Sequence, residues 1–243
     1  NNTILTPNAK IKPVNMRKLK FFKKQHIYLP TILGLILISL SSIVMAIFII
    51  NNLASYLAQQ RPLHKGILVV EGWVSKQTLL QAIHTYKANP YQQIITTGGL
   101  IKGRRLIEYK SYADSAAAFL KKNGINQSDI TSLPTPDSAQ NRTFLSAVIV
   151  RDWLIKQKNK TQVIDVISEG VHARRTLTLY QMAFANKRDI GIMAGKSEEY
   201  LLESWWQTST GIKTVISEVV GLTWVACCFD PGEYQSHEEK WGG

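Results

Sequence analysis

Residues 66–73 read GILVVEGW, a run of branched apolar side chains that ends at a glutamate, a glycine and a tryptophan. Three further short runs rich in Ile and Val occur at 93–97 (QIITT), 162–168 (QVIDVIS) and 189–194 (DIGIMA). Near-continuous apolar runs of this length are typical of strands that are buried on both faces, as in a parallel sheet. The sequence therefore predicts four strands of one mostly parallel sheet.

Helical patterns separate the predicted strands. Apolar residues recur with helical spacing in four segments, and a fifth stripe near the C-terminus is expected to pack back on the sheet. Alternating strands and helices predict an α/β sandwich with right-handed crossovers. The stripes are Leu79, Leu80, Ile83 and Tyr86; Tyr109, Tyr112, Ala113, Ala116 and Leu120; Leu145, Val148, Ile149 and Trp153; Leu177, Tyr180 and Phe184; and Ile212, Val215, Ile216, Val219 and Thr223.

An uncharged segment at 27–50 precedes this predicted domain. As a helix it is roughly 36 Å long, at about 1.5 Å per residue, which is enough to cross a hydrocarbon core of about 30 Å. A cleaved signal peptide is the alternative, but the run is longer than the usual apolar region of about 7–15 residues. We therefore predict one N-terminal transmembrane helix.

The distribution of charge predicts the topology of this helix. Residues 1–26 carry seven Lys and Arg and no acidic residue, whereas 51–66 carries only Arg61 and Lys65. By the positive-inside rule, the N-terminus is cytoplasmic and everything after residue 50 lies on the far side of the membrane. The predicted organisation is a basic cytoplasmic tail (1–26), a transmembrane helix (27–50), a linker (51–65), an extracytoplasmic α/β domain (66–229) and a C-terminal tail (230–243).

The formal net charge of +12 does not indicate nucleic-acid binding, because the tail holds seven of these charges and the rest of the chain only +5. A basic tail of this kind attracts anionic lipid, so membrane lipid is a predicted partner and nucleic acid is not. The histidines have no metal-ligand spacing with one another or with cysteine, so no metal site is predicted. Cys227 and Cys228 are adjacent and are expected to be two small buried residues.

The residues that follow the strands carry the chemistry of the predicted domain. Ligands of open parallel sheets bind beyond the carboxyl ends of the strands. Here those ends are the segments at 71–73 (EGW), 96–99 (TTGG) and 168–175 (SEGVHARR), and the segment at 137–143 (DSAQNRT) opens a helix. We expect all four segments to converge on one edge of the sheet.

The pattern at 172–175, His-Ala-Arg-Arg, follows a predicted strand and a glycine turn and begins a helix. Backbone N–H groups at a helix start favour an anion, and guanidinium groups bind phosphate oxygens bidentately. His172 is therefore a candidate general acid, base or nucleophile, and Glu71 or Glu169 could orient it or accept a proton. The alternative is that His172 only caps the helix and that Arg174 and Arg175 lie on a solvated face.

The glycine pair Gly98 and Gly99 has two interpretations. It provides either a tight turn between strand and helix or a place where a ligand approaches the backbone closely. The spacing matches neither a dinucleotide-binding nor a phosphate-binding glycine loop, so the cofactor remains unknown.

Several of these segments together resemble the bacterial SanA/YdcF/ElyC family. The resemblance covers about residues 64–225 and rests on strand–Glu-Gly-Trp at 71–73, strand–Thr-Gly-Gly at 97–99 and strand–turn–His-x-Arg-Arg at 172–175. Further similarities to a membrane-anchored branch are Arg142-Thr143, Glu108-Tyr109 and the WWxxSxGIK pattern at 205–213. The chain departs from the common Leu-Gly-Gly after the first strand, where it has Glu71-Gly72-Trp73.

This resemblance implies a Rossmann-like three-layer α/β sandwich that often lies beyond the inner membrane. It also implies a link to cell-envelope integrity, peptidoglycan precursors and polyprenyl-phosphate carriers. One soluble relative is associated with S-adenosylmethionine binding. No catalytic mechanism is attached to the family.

The leading hypothesis is a membrane-anchored cell-envelope protein that binds, and hydrolyses or transfers, a phosphorylated substrate, either polyprenyl-linked or nucleotide-like. Two alternatives stay open: a non-catalytic module for an anionic ligand, and an accessory subunit of a membrane protein complex. The predicted catalytic residues are His172 and Glu71. The predicted ligand-binding residues are Gly98, Gly99, Asn141, Arg142, Thr143, Glu169, Arg174 and Arg175.

Overall fold

A computed structural model describes residues 29–101, 108–137 and 141–231. The described residues divide into two compact units, one that ends at Ile43 and one that begins at Val44. The predicted basic tail (1–26) and all but two residues of the predicted C-terminal tail (230–243) lie outside the described residues.

Five parallel strands form one sheet in the order β3-β2-β1-β4-β5. The predicted α/β fold with a parallel sheet is confirmed, and the four predicted runs are β1, β2, β4 and β5. The strand β3 was not predicted, because its sequence, ITSLP, has no run of Ile and Val and only its first residue is buried. The bounds are β1 Gly66–Glu71, β2 Tyr91–Gly98, β3 Ile130–Pro134, β4 Val163–Glu169 and β5 Asp189–Gly195.

The described residues contain six α-helices, and hydroxyl side chains cap several of them, including α2, α3 and α6. Ser75 accepts a hydrogen bond from the Thr78 amide, Ser111 from the Asp114 amide, and Thr208 from the Gly211 amide, at the starts of α2, α3 and α6. The bounds are α1 Ile32–Leu57, α2 Lys76–Ala88, α3 Tyr112–Lys122, α4 Arg142–Lys156, α5 Ala173–Ala183 and α6 Ser209–Cys227.

Helices cover both faces of the sheet and give three layers. Leu68 and Val70 of β1 belong to one apolar cluster with residues of α2 and α3. Ile67 and Val69 point to the other face and share a cluster with residues of α4, α5 and α6. Because β1 and β4 are neighbours in the sheet while their helices lie on opposite faces, the strand order reverses between these two strands.

The helix α1 carries the apolar run predicted to span a membrane. Its side chains from Ile32 to Ile49 are exposed, and the helix is long and apolar enough to cross a bilayer. By length and composition alone α6 passes the same test. However, α6 belongs to the domain, because Val215 and Val225 are buried in its core and Glu218 is paired with residues of the sheet edge and α5.

The prediction that residues 51–65 form a linker is wrong. The helix α1 continues to Leu57, and Ala54, Leu57 and Ala58 are buried in the main core. The backbone of Arg61 then pairs with Ile192 of β5 in both directions, at 2.8 and 3.1 Å. This segment is therefore part of the domain, since its apolar side chains and backbone groups complete one edge of the fold.

A buried carboxylate holds the end of the same segment. Asp165 of β4 accepts hydrogen bonds from the amides of Leu63 and His64 and from the hydroxyl of Tyr91. Burial and the neighbouring Asp165 raise the pKa of the Tyr91 phenol. A Cβ at Gly191 would lie 1.8 Å from Asp165 Oδ1, so only glycine leaves room for this carboxylate.

Two predictions about the C-terminal helix also need correction. The predicted stripe on α6 is correct only in part, because Val215 is buried and Val219 packs against the core, whereas Ile212 and Ile216 are exposed. The buried face also contains Gly211, Glu218 and Val225. Cys227 and Cys228 are exposed and form a disulfide with each other, so they are not a buried pair. The buried face of α6 includes the acidic residue Glu218, so the apolar pattern alone did not identify that face.

Candidate functional site

A cavity of about 880 Å³ lies at the carboxyl edge of the sheet. The ends of β1, β2 and β4 and the segment after β3 contribute to it, and α4 and α6 form its other side. This is the edge where the sequence predicted that four segments converge. Among the predicted site residues, those that line the cavity are Glu71, Gly98, Gly99, Asn141, Arg142, Thr143, His172 and Arg175.

Glu71 is the last residue of β1, and its side chain is almost completely buried. Its Oε2 accepts hydrogen bonds from the hydroxyls of Ser168 and Thr176. Burial raises the pKa of Glu71, although His172, Ser168 and Arg175 oppose this shift. A carboxyl group in such a position can carry a proton at a higher pH than a solvated glutamate, which is a property of general acids.

The imidazole of His172 lies at the start of α5 and is held by a carboxylate. Its Nδ1 lies 2.9 Å from Oε1 of Glu218, a residue of α6. The Arg175 guanidinium binds the same carboxylate, with Nε 2.8 Å from Oε2 and Nη2 2.9 Å from Oε1. Arg175 Nη2 also lies 2.9 Å from His172 Nδ1. The three side chains therefore form one compact network at the wall of the cavity.

Glu218 is the anionic centre of this network. Burial alone would raise its pKa, but hydrogen bonds and charge from His172 and Arg175 outweigh burial and lower the pKa to about 2. The carboxylate is therefore ionised near neutral pH. In the tautomer of His172 that carries a proton on Nδ1, that proton is donated to Glu218 and Nε2 is an acceptor.

The other ring nitrogen of His172 faces a hydroxyl group. Nε2 lies 3.3 Å from Oγ1 of Thr143, in the first turn of α4. Asn141 precedes this helix in a left-handed conformation, with φ of 50°, and Arg142 is exposed beside it. The first turns of α4 and α5 thus both contribute side chains to the cavity, and the positive end of the α4 dipole favours an anion there.

The glycines after β1 and β2 allow the start of α3 to approach closely. A Cβ at Gly72 would lie 2.4 Å from the carbonyl oxygen of Tyr112, and one at Gly98 would lie 3.0 Å from Tyr112 Cβ. The contact explains why two strand ends carry glycine. Gly98 and Gly99 also line the cavity, so the tight packing does not rule out an approaching ligand.

Aromatic and apolar side chains surround the polar groups of the cavity. Trp73 packs edge-on against His172, with ring centroids 5.1 Å apart. Trp73, Leu100, Tyr112 and Trp224 line the cavity and are between 37% and 44% exposed. This rim can contact an apolar or aromatic portion of a ligand while the charged groups contact its polar portion.

Two of the predicted ligand-binding residues, Glu169 and Arg174, do not line this cavity. Glu169 accepts a hydrogen bond from the amide of Ser75 at 3.0 Å, so it holds the start of α2. Arg174 points to a different side of α5, where it donates to the carbonyl of Tyr56 and stacks over the Tyr56 ring at 3.7 Å. Adjacent helical residues point about 100° apart, and only Arg175 faces the cavity.

Glu218, which contacts both His172 and Arg175, was not among the predicted site residues. It lies in an apolar helix 46 residues after His172, and no local motif links the two. A signal was present nonetheless, because a lone acidic residue among the apolar residues of a helix is costly unless it has a partner. In the described parts of the chain, no cluster of three His, Cys, Asp or Glu side chains could hold a metal ion.

No family model matches the chain, and no curated protein matches it. Two solved structures of pantothenate synthetase from Thermus thermophilus are similar to it. One has 10% sequence identity and a TM-score of 0.32, and the match covers 68% of this chain and 69% of the other. The second has 9% identity and a TM-score of 0.31, with 72% and 82% covered. Nothing about the function of this chain follows from likenesses of this size.

Proposed function

We propose that this protein is a membrane-anchored cell-envelope protein of the SanA/YdcF/ElyC family. Its α/β domain lies outside the cytoplasm and binds, and hydrolyses or transfers, a phosphorylated substrate that is polyprenyl-linked or nucleotide-like. Support for the anchor comes from α1 and the cations before it, and support for the family comes from the motifs at 71–73, 97–99 and 172–175.

One observation carries the proposal: the start of α4 and a hydrogen-bonded network that contains His172 share one cavity. Thr143, His172, Glu218 and Arg175 are connected by contacts of 2.8 to 3.3 Å along its wall. Arg142 adds an exposed cation at the start of α4. Backbone amides and a guanidinium group around a cavity of this volume suit a phosphate group.

The roles of the side chains follow from their contacts. Glu218 orients His172 through Nδ1, and Nε2 accepts a proton from a hydroxyl group in the cavity, either that of Thr143 or that of a water or acceptor alcohol. Arg142 and the first turn of α4 hold the phosphate oxygens. Glu71, whose pKa is raised by burial, donates a proton to the leaving oxygen.

Thermal unfolding of the full chain in detergent tests the binding step. Undecaprenyl phosphate, UMP and pyrophosphate serve as probes, with Arg142→Ala beside Lys156→Ala, which removes an exposed cation at the other end of the same helix. A probe at about 100 times its dissociation constant should stabilise the wild type and the Lys156 variant by roughly 2.7 kcal/mol. Equal stabilisation of the Arg142 variant would contradict the proposed phosphate site.

A non-catalytic binding module is the second candidate, and one observation favours it. Glu218 already pairs with both His172 and Arg175, so the network is satisfied without a substrate. Incubation with the probe that stabilises the fold decides between the two. Product formed by the wild type but not by His172→Gln supports catalysis, whereas saturable binding without product at any pH supports the module.

A further inference from the structure

A second cavity, of about 580 Å³, lies where the end of α1 meets α5 and α6. It is separate from the cavity of His172, and Arg174 is one of the residues that line it. Its apolar wall consists of leucine, valine and alanine side chains, and its polar wall contains two arginines, Gln59, Gln181 and two threonines. The apolar residues are Leu53, Leu57, Leu177, Val219, Leu222 and Ala226.

The charge of this cavity is positive. Arg61 and Arg174 both line it, and its lining residues, all within the described part of the chain, include no Asp or Glu. Arg174 is fixed in place, because its Nε donates to the Tyr56 carbonyl at 2.6 Å and its guanidinium stacks on the Tyr56 ring. The fixed Arg174 and the exposed Arg61 beside an apolar wall complement a ligand that is anionic at one end and apolar at the other.

The position of the cavity along α1 indicates what that ligand is. Tyr56 lies six residues beyond Ile50, where the apolar run ends, which corresponds to about 9 Å along a helix axis. The headgroup layer on each side of a bilayer core is about 5–8 Å thick. Leu53 therefore lies at the depth of that layer and Tyr56 at its outer limit, and tyrosine is a common residue at this boundary.

We propose that the second cavity binds one anionic phospholipid of the bilayer that α1 enters. The lipid phosphate contacts Arg61 and Arg174, and the glycerol and upper acyl chains lie against Leu53, Leu57 and Leu222. The inference rests on the membrane anchor of the proposed function but not on the chemistry at His172. A bound lipid would fix the domain against the membrane surface through α1, α5 and α6 together.

Native mass spectrometry of the full chain in detergent tests this site. Phosphatidylglycerol and the zwitterionic phosphatidylcholine are titrated separately against the wild type and against Arg174→Ala, Thr223→Trp and Lys213→Ala. The first variant removes a cation of the cavity, and the second fills the cavity without changing its charge. Lys213→Ala removes an exposed cation of α6 that does not line the cavity. A cooperative thermal unfolding transition of each variant confirms that it is folded.

We expect one phosphatidylglycerol per chain, bound at least about tenfold more tightly than phosphatidylcholine. The two lipids share the phosphate, but Arg61 and Arg174 repel the choline cation, and no acidic residue among those described lines the cavity to bind it. Arg174→Ala and Thr223→Trp should each weaken it at least about tenfold, and Lys213→Ala should leave it unchanged. Equal weakening by Arg174→Ala and Lys213→Ala, with no weakening by Thr223→Trp, would indicate attraction to net charge and would overturn the proposal.

Two further arms separate this proposal from others. Glycerol 1-phosphate should not displace the lipid at equal concentration, and displacement would reassign the cavity to a free phosphate. Arg142→Ala should keep its phosphatidylglycerol. If Arg142→Ala loses it while Arg174→Ala does not, the lipid occupies the His172 cavity, which overturns this inference and supports the phosphate site there. No bound lipid at all overturns the inference and leaves the His172 cavity to its own test.

Discussion

His172 has a different partner on each side of its ring. The Nδ1 side faces Glu218 and Arg175, which are both buried or partly buried, and the Nε2 side faces Thr143 and the cavity. A ring held in this way can transfer a proton only at one atom. Two carboxyl groups act on this ring: Glu218 contacts Nδ1, and Glu71 interacts with it electrostatically.

Replacement of Glu218 by Gln should lower the free energy of unfolding by roughly 1–3 kcal/mol at neutral pH, because Arg175 and His172 lose their charged partner. The pKa of Glu218 is about 2 in the folded chain and 4.5 in the reference state. The unfolded chain therefore binds more protons between these values, and the wild-type stability should fall as the pH falls from 4.5 to 2. Urea unfolding across this range measures the effect, and the variant should lack this decline.

Replacement of Glu71 by Gln should have the opposite dependence on pH. Burial raises the pKa of Glu71, so the folded chain holds its proton more tightly than the unfolded chain does. The wild type therefore loses stability as the pH rises from 4.5 through the raised pKa, and Gln, a neutral mimic of the protonated acid, does not. The melting temperature of the variant minus that of the wild type should increase over this range. A constant difference would show that the carboxyl is already ionised in the fold.

Elements differ in how clearly the sequence predicts them. The strands β1, β2, β4 and β5 are central or covered on both faces, and their Ile and Val runs follow from that burial. The edge strand β3 has no such run. The side of a helix that faces a site depends on packing, and for this reason the local pattern did not separate Arg174 from Arg175.

At the edge formed by β5, the close approach of two backbones depends on a glycine. A Cβ at Gly191 would lie 1.8 Å from Asp165 Oδ1 and 3.0 Å from the Arg61 carbonyl oxygen. Gly191→Ala should therefore lower the free energy of unfolding by about 1–3 kcal/mol, the usual cost of overpacking. Chemical denaturation beside Lys187→Ala, an exposed substitution before the same strand, checks this. Equal stability of the two variants would mean that Asp165 can move away without cost.

At the scale of the whole molecule, the sequence predicted the fold class and most of the cavity, but not the boundary of the domain. The four polar segments converged because the carboxyl ends of parallel strands meet by topology alone. Glu218 joined them through tertiary packing of α6, and residues 54–64 joined the domain through burial and through Asp165. Neither contact follows from a local pattern.

A fragment of residues 51–243 should be more stable than one of 62–243. The shorter fragment lacks Ala54, Leu57 and Ala58, which are buried, and Gln60, which exchanges two hydrogen bonds with Ala194. Removal of a buried leucine alone costs about 2–5 kcal/mol. Urea denaturation of the two fragments measures the difference, and Leu57→Ala in the longer one is the matched control. Equal midpoints for both fragments would contradict the packing of this segment.

The predicted orientation can be measured in living cells. A reporter that is active only outside the cytoplasm, fused after Gly243, should be active if the cations of residues 1–26 remain inside. Replacing those seven cations with Gln should reduce that activity. A reporter active only in the cytoplasm that works at the same position would contradict the orientation.

Only residues 51–53 separate the apolar run of α1 from Ala54, the first residue that is buried in the domain. Under the proposed function, a protein with so short a connection searches for its substrate in two dimensions. Its encounters with a lipid-borne molecule depend on the number of such molecules per area of bilayer, and those with a dissolved molecule depend on bulk concentration. Diluting the substrate lipid with inert lipid at constant bulk concentration should therefore slow the reaction.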